Sequence, residues 1–212
     1  GVSANTTNKH GFTPLNAART HGYSNAVEIL LAKGADPKTP APSLDRWLDA
    51  VFREVVKGVA PGAAVLVAKD GKILLQKGYG YASLEHRVPI TPETKFRIGS
   101  ITKQFTAAAI LKLQEQGKLS VQDRLSKFIP DYPRGDEVTL HHLLTHTSGI
   151  HSYTSKPDFF ETVTVPVKPE ELIKSFRNDP YDFSPGEKWS YNNSGYFLLG
   201  YIIERASGES YE

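Results

Sequence analysis

The feature that most constrains the fold is an amphipathic stretch between Gly99 and Gly117, with polar residues at its start. Its apolar residues recur close to the helical period: Ile101, Phe105, Ala108 and Leu111. Such spacing predicts a helix with one buried face, and a glycine is a common helix end. We therefore expect a helix from Ser100 to about Gln116, packed within a mixed α/β protein.

Ser100 and Lys103 lie three residues apart at the start of this helix, in the only Ser-x-x-Lys string of the chain. Side chains with that spacing share a helix face, so the Lys103 amine reaches back toward the Ser100 hydroxyl. A serine hydroxyl becomes a good nucleophile only when a base removes its proton. A lysine serves as that base when desolvation lowers its pKa, or it stays cationic and stabilises a tyrosinate that removes the proton. The residues alone leave both routes open.

Tyr191 and Asn193 are candidates for the rest of such a site. In an extended segment alternate side chains project to the same side, so these two would line one wall of a cleft. Tyr191 would be the tyrosine that Lys103 stabilises, and Asn193 would hydrogen-bond a substrate amide. A structural role for Ser100 is also open, because serine is a favoured helix N-cap. The two roles are compatible, since a nucleophile at a helix N-terminus offers its own backbone N–H as an oxyanion donor.

Four strings of residues follow one another along the second part of the chain: Thr94 to Lys103, Leu143 to Gly149, Phe183 to Gly186 and Tyr191 to Tyr196. Together they resemble the serine β-lactamase-like family, which includes penicillin-binding proteins, class C β-lactamases, D-alanyl-D-alanine carboxypeptidases and related esterases. The resemblance covers most of residues 61–212. It implies a β-lactamase/transpeptidase-like fold of the α+β class, with an antiparallel sheet and a helical region.

The resemblance also implies roles for the candidate residues. Ser100 is then the acylated nucleophile, Lys103 its proton partner, and Tyr191 the general base and later acid. Asn193 orients the substrate, which is a β-lactam, a D-Ala-D-Ala-type peptide or a small ester. The implied chemistry needs no metal or organic cofactor. Localisation is unknown, and a periplasmic or secreted location is suggested by the resemblance alone.

The family's third motif, Lys-Thr-Gly or His-Thr-Gly on an edge strand, is absent from the 212 residues. The nearest string, His146-Thr147-Ser148-Gly149, is not that motif. In the family this strand supplies a second oxyanion N–H, and loss of one such donor lowers the rate by about 10²- to 10³-fold. We therefore expect a longer protein that contains the remaining C-terminal strands, and an incomplete enzyme at this length.

The first part of the chain contains an internal repeat, because residues 1–5 align with residues 34–38 at a separation of 33 residues. That separation is the ankyrin period, and the residues between resemble one ankyrin repeat, with Asn16 where histidine is usual. Thr13 and Pro14 predict the start of a first short helix. A single repeat cannot bury its apolar face. We interpret residues 1–38 as the end of a longer ankyrin array, or as an element packed on the second domain or on another copy, with a possible protein partner.

Residues 39–212 form the second predicted domain, after a proline-rich linker at residues 39–42. Ser43 is expected to cap a helix with an apolar stripe: Leu44, Trp47, Leu48, Val51, Phe52 and Val55. Later in the domain, Ser120 predicts the start of a short helix, and residues 194–206 predict a longer one.

A hairpin is predicted between this first helix and the Ser-x-x-Lys string. Residues 63–68 and 72–79 have the composition of strands, and Asp70-Gly71 between them is a strong hairpin signal. Gly78 predicts a bulge or a close backbone approach. The hairpin begins the antiparallel sheet of the expected fold.

Histidines suggest a different chemistry, because four of them lie within eleven residues: His141, His142, His146 and His151. His142 and His146 have the spacing of a metal-binding pair on one helix face, which would indicate a metallohydrolase. However, no glutamate follows His142 as in zinc proteases. We therefore favour a packed, hydrogen-bonded His146 over a metal ligand.

Composition excludes little else. A net charge of +2, without a stripe of basic and aromatic residues, gives no reason to expect a nucleic-acid partner. No apolar run reaches the roughly 18 residues of a membrane helix. With no cysteine there is no thiol chemistry. One alternative of another class remains, a protein-binding module in which the ankyrin part binds a partner and the hydrolase-like domain is inactive.

Overall fold

The computed structural model of the chain describes residues 3–40 and 43–211. The residues fall into two units, one ending at Phe96 and the other beginning at Arg97. The domain boundary predicted between residues 38 and 39 was drawn from resemblances in the sequence and does not coincide with the boundary between these units. It remains a prediction. Five residues of predicted features lie outside the described residues: Gly1 and Val2 of the repeated string, Ala41 and Pro42 of the linker, and the terminal Glu212.

The first unit contains three helices and two hairpins: α1 (Pro14–Thr20), α2 (Ser24–Ala32), α3 (Leu44–Val55), β1 (Ala63–Lys69), β2 (Lys72–Tyr79), β3 (Tyr81–Ser83) and β4 (Val88–Pro89). α1 begins as predicted, because the Thr13 side chain accepts a hydrogen bond from the Asn16 N–H at 3.2 Å and Pro14 occupies the first turn. α2 ends just before Gly34, whose φ of +83° suits glycine. The two helices contact one another across a three-residue connection.

The predicted hairpin is confirmed, with β1 and β2 antiparallel and a bulge between Val67 and Ala68. Asp70 and Gly71 have φ values of +50° and +74°, as the two central residues of a type I′ turn require. The close backbone approach predicted at Gly78 is also confirmed, because a Cβ there would lie 2.0 Å from the Ile90 carbonyl oxygen.

The helix predicted after Ser43 is confirmed as α3. The Ser43 hydroxyl accepts a hydrogen bond from the Arg46 N–H at 3.3 Å, which caps the first turn. Within the predicted stripe Leu48 is buried, and the ring of Phe52 stacks on Tyr79 with 4.2 Å between centroids. The Phe52 ring therefore packs α3 against the β1–β2 hairpin. The stripe is confirmed only in part, because Trp47, Val51 and Val55 are exposed.

The second unit is helical: α4 (Thr102–Glu115), α5 (Leu140–Leu144), α6 (Phe159–Thr162), α7 (Pro169–Phe176) and α8 (Asn193–Ser207), with 3₁₀ turns at Gly99–Ile101, Leu125–Lys127 and Tyr153–Ser155. The two long helices predicted here, over residues 100–116 and 194–206, are confirmed as α4 and α8. The buried face predicted for α4 is wrong, because Ile101, Phe105, Ala108 and Leu111 are all exposed. The helix instead buries Thr106, Ile110 and Leu113. The short helix predicted at Ser120 is wrong. The chain makes a turn after Ser120 and then becomes extended at Arg124, which pairs with Thr139, so no helix continues from the turn.

The core of the second unit is centred on α8. Leu198, Leu199 and Ile202 of α8 are fully buried, and Ile110 of α4 and Leu143 of α5 are buried with them. Burial of each such side chain contributes about 1.5–3 kcal/mol. This packing sets α4 against α8.

The two units together give the mixed α/β composition expected of a β-lactamase/transpeptidase-like fold. Helices from the first to the last described residue are all too short or too polar to span a lipid bilayer.

Candidate active site

Ser100 lies in the 3₁₀ turn that precedes α4, and its side chain is exposed. The N-cap position of α4 belongs to Ile101, and no side chain caps the helix there. The interpretation of Ser100 as a capping serine is therefore wrong. Its Oγ instead accepts hydrogen bonds from the Tyr191 hydroxyl at 2.6 Å and from Lys103 Nζ at 3.2 Å.

Lys103 is the second residue of α4 and contacts the three other predicted site residues. Its Nζ donates to Ser100 Oγ and, at 2.6 Å, to the Oδ1 atom of Asn193. The ammonium also lies 4.8 Å from the ring centroid of Tyr191 and 5.4 Å from that of Tyr196, within the range of cation–π attraction. Over the described ranges, no carboxylate forms an ion pair with Lys103.

Tyr191 precedes α8 by one capping residue, and its side chain is 43% exposed. Burial of part of the ring raises the pKa of the phenol. The neighbouring Lys103 ammonium and the hydrogen bond with Ser100 have a larger effect in the opposite direction. The pKa of Tyr191 therefore lies below its ordinary value. A phenol with a lowered pKa next to a hydroxyl is suited to exchange a proton with it.

Asn193 is the first residue of α8 rather than part of an extended segment, so the predicted strand-like alternation with Tyr191 is wrong. The extended residue is Asn192, which caps α8 by accepting from the Gly195 N–H at 2.6 Å. The Asn193 carboxamide nevertheless reaches the predicted partners. Its Oδ1 accepts from Lys103, and its Nδ2 donates to Thr154 Oγ1 at 2.8 Å, which leaves one amide N–H for a ligand.

The loop after α5 is fastened to the start of α8 by side-chain hydrogen bonds. Asn192 Nδ2 donates to the carbonyl oxygen of Ile150 at 2.5 Å, and the Asn193 N–H donates to Ser152 Oγ at 3.2 Å. The Ser194 hydroxyl donates to the carbonyl oxygen of His151 at 2.8 Å. These bonds hold residues 150–154 beside Tyr191 and Asn193. Sequence reasoning missed Ser152 and Thr154, because nothing in their spacing marks them.

His146 lies directly behind Tyr191. Its φ of +60° is left-handed, just after the end of α5. Its Nδ1 accepts from the Asn192 N–H at 3.1 Å, and its ring centroid lies 4.7 Å from that of Tyr191 and 5.0 Å from that of Tyr196. Burial, and then the charge of Lys103, lower the pKa of the imidazole.

The metallohydrolase alternative fails on geometry. α5 ends at Leu144, so His146 is not one helical turn along the same face as His142. His142 instead accepts from the Thr139 N–H at 3.3 Å through Nδ1, as part of a capping box. Within the part of the chain that the structure describes, no group of three or more metal-binding side chains is disposed to hold an ion.

A cavity of about 430 Å³ opens beside the nucleophile, between α4 and α8. Its wall includes Ser100, Lys103 and Asn193, together with the aromatic rings of Tyr153 and Phe197. A concave, partly aromatic space next to a hydrogen-bonded serine is the arrangement expected of a small-molecule site.

Comparison with known proteins identifies the family of the chain. The model of a family described as Beta-lactamase matches residues 48–212. The chain is similar to Protein flp of Staphylococcus aureus (strain COL), with 36% identity over 166 residues, which are 76% of this chain and 33% of that protein. It therefore spans about a third of the length of such curated relatives.

Solved structures give the same result. The octameric penicillin-binding protein homologue from Pyrococcus abyssi matches with 44% identity and a TM-score of 0.66, covering 78% of this chain and 39% of that one. The D-amino acid amidase from Ochrobactrum anthropi SV3 matches with 26% identity and a TM-score of 0.68, covering 79% and 46%.

Proposed function

This chain belongs to the β-lactamase family, and on that premise we propose that it is a serine hydrolase that forms an acyl-enzyme at Ser100. One observation carries the proposal: Ser100 Oγ lies 2.6 Å from the Tyr191 hydroxyl and 3.2 Å from Lys103 Nζ. A serine hydroxyl with a proton acceptor and a cation in reach meets the geometric requirement for an activated nucleophile. The exposed position of Ser100 gives a substrate access to it.

In the proposed reaction Tyr191 takes the Ser100 proton as Oγ attacks the substrate carbonyl, and then gives it to the leaving nitrogen or oxygen. Tyr191 first loses its own proton to solvent. The hydrogen bond between the two oxygens then reverses, so that the serine hydroxyl donates to the phenolate before attack. Lys103 stabilises the phenolate by its charge while it donates to Ser100 and Asn193. The Ser100 backbone N–H is the proposed oxyanion donor, and water finally hydrolyses the acyl-enzyme.

The proposed substrate is a β-lactam, a D-Ala-D-Ala-type peptide or a small ester. Relatives named as a penicillin-binding protein homologue and a D-amino acid amidase support this range. The free amide N–H of Asn193 is the proposed contact to the substrate carbonyl next to the scissile bond. No metal or organic cofactor takes part in the proposed reaction.

The test is the intact mass of the chain after brief exposure to a penicillin and an acid quench. A second sample receives a reactive fluorophosphonate, which labels activated serines without needing a carboxylate site. A single adduct that forms on the chain and is lost in Ser100→Ala supports the proposal. Absence of both adducts, or equal labelling of Ser100→Ala, would overturn it and favour the inactive, protein-binding alternative.

We also propose that residues 1–38 form an ankyrin-type repeat that binds a protein partner. Its support is local to the first unit. The side chain of Asn5, in the first copy of the repeated string, donates to the Gly34 carbonyl at 3.1 Å and accepts from the Asp36 N–H at 2.7 Å, so it joins the second copy. Tyr23 and Ile29, within the same residues 1–38, are each 62% exposed and offer apolar surface to a partner.

Limited proteolysis of the whole chain tests the proposed domain boundary. Early cleavage confined to the neighbourhood of Thr39, with adduct formation retained by the larger fragment, would support a separate repeat. Early cleavage at other positions, with Thr39 protected, would contradict the boundary.

A further inference from the structure

His146 holds the backbone on both sides of Tyr191. Its carbonyl oxygen accepts from the Ser190 N–H at 3.0 Å, and its Nδ1 accepts from the Asn192 N–H at 3.1 Å. The residues immediately before and after Tyr191 are therefore both bonded to one residue. This bracket limits movement of the Tyr191 backbone relative to α5.

The ring of His146 also packs against the ring of Tyr191. Its centroid lies 4.7 Å from that of Tyr191 on one side and 5.0 Å from that of Tyr196 on another, while the Tyr196 hydroxyl donates to the Leu144 carbonyl at 3.0 Å. Tyr196 is thereby tied to α5 and supports the His146 ring. The side chain of Tyr191 is thus oriented by a packed ring as well as by its backbone.

The backbone of His146 points to a role for its side chain. The left-handed region, φ +60° here, is uncommon for residues other than glycine. The conformation completes a helix C-cap, because the Thr147 N–H donates to the His142 carbonyl at 2.9 Å. Glycine would serve this cap without strain, but it would lack the acceptor for Asn192.

The bond from Asn192 fixes the protonation state that the bracket needs. A nitrogen that accepts from a backbone N–H carries no proton, so the neutral ring has its hydrogen on Nε2. The groups facing the ring are Lys103 from α4, Tyr191 from the segment before α8 and Tyr196 from α8. Protonation of Nδ1 would place its N–H against the Asn192 N–H. It would also make the ring a second cation near Lys103.

We infer that His146 is a positioning residue, which as a neutral imidazole holds the Tyr191 hydroxyl within hydrogen-bonding distance of Ser100. The inference rests on the proposed function, because it assigns Tyr191 its proton-transfer role. It gives the site a second requirement for deprotonation. The phenol–ammonium pair must lose one proton to become active, and His146 must lose another to keep the bracket.

Two substitutions separate the acceptor from the rest of the side chain. In His146→Asn the Oδ1 atom is bonded to Cγ, as Nδ1 is, so it offers a non-titrating acceptor in nearly the same place, and asparagine tolerates the left-handed backbone. His146→Gly keeps the helix cap and removes the acceptor. The matched control is His141→Asn, on the exposed side of α5.

The experiment measures the rate of Ser100 acylation by a penicillin, from acid-quenched intact masses, between about pH 4 and pH 8. The range extends well below the ordinary imidazole pKa of about 6.5 because the pKa of His146 is lowered. At the upper end His146→Gly should be slower by roughly 10- to 100-fold, the usual result of a small misplacement of a catalytic group. His146→Asn should recover most of that loss. At the acid end the logarithm of the rate should fall with a slope approaching two in the unmodified chain and in His141→Asn, but with a slope of one in His146→Asn.

Each outcome has one meaning. Equal slopes in the unmodified chain and His146→Asn would overturn the inference while acylation of Ser100 upholds the proposed function. If neither a penicillin nor the fluorophosphonate labels Ser100 of the unmodified chain, the proposed function is overturned, and the inference with it. If only the fluorophosphonate labels Ser100, the same slopes are measured with that reagent. If thermal melting shows that His146→Gly does not fold, the comparison of slopes between the unmodified chain and His146→Asn still decides.

Discussion

Each of the two units contains a lysine beside a tyrosine, and the two pairs have different surroundings. In the first unit Lys77 Nζ lies 2.8 Å from an Asp45 oxygen and 2.6 Å from an Asp49 oxygen. The Tyr79 hydroxyl also donates to Asp49, at 3.0 Å. Burial, followed by the hydrogen bond and charge of Asp49, raises the pKa of Tyr79 to about 12.

In the second unit Lys103 donates to a hydroxyl and an amide oxygen, both neutral, and the pKa of its neighbour Tyr191 is lowered. The contrast shows that a lysine next to a phenol does not by itself activate it. Lys77 is neutralised by two carboxylates, one of which also holds the Tyr79 proton in place. Lys103 has no such partner among the described residues, so its charge acts on Tyr191.

The largest effect expected from this contrast is on the rate of acylation. Lys103→Ala should lower the rate by roughly 10²- to 10⁴-fold, the range for loss of proton-transfer assistance. Lys77→Ala should leave the rate within about twofold and lower the free energy of unfolding by about 1 kcal/mol or less, as for an exposed ion pair. Quenched-mass rates and urea unfolding of both variants provide the measurement. Similar rate losses in the two variants would break the comparison.

A smaller but more direct effect is the order in which the two tyrosines ionise. As the pH rises, Tyr191 should become a phenolate before the ordinary tyrosine pKa of about 10 is reached, and Tyr79 only near 12. Spectrophotometric titration of Tyr191→Phe and Tyr79→Phe against the unmodified chain identifies the absorbance of each phenolate. The reverse order would show that the carboxylates are not what distinguishes the pairs.

The smallest expected effect concerns stability at acid pH. The hydrogen bond from Lys77 lowers the pKa of Asp49, and burial opposes it only in part. The stability from a carboxylate with a lowered pKa is fully present above its unfolded value of about 3.9 and is lost as the pH falls through its folded value. The difference in unfolding free energy between the unmodified chain and Asp49→Asn should therefore shrink below about pH 4. Asp45→Asn, at a more exposed carboxylate, is the matched control; a difference constant with pH would contradict the assignment.

The sequence predicted those parts of the fold that depend on neighbouring residues. The Asp70-Gly71 turn and the caps at Thr13 and Ser43 are decided within about four residues, and all three were confirmed. α8 was predicted from the period of its apolar residues, and so was α4, although the face that α4 buries is not the predicted one. The helix at Ser120 was wrong, because the chain becomes extended at Arg124, where it pairs with Thr139.

The candidate site was predictable to a lesser degree. Ser100 and Lys103 could be paired from their spacing alone, but their meeting with Tyr191 and Asn193 depends on the packing of α4 against α8. Thr154 could not be found from the sequence, because its contact with Asn193 joins two residues that are far apart in the chain. His146 was correctly interpreted as a hydrogen-bonded histidine, although its partner Asn192 was not predicted.

The bonds between residues 150–154 and the start of α8 have a consequence for how such a site can diversify. They fix residues 150–154 against the start of α8 with short contacts. The position of these residues therefore does not depend on the length of the following segment, residues 156–168. Lengthening a flexible loop adds little closure entropy, about 0.6 kcal/mol for each doubling. Insertions in this segment should therefore be tolerated and could reshape the space around a substrate, while the serine and its proton carriers stay in place.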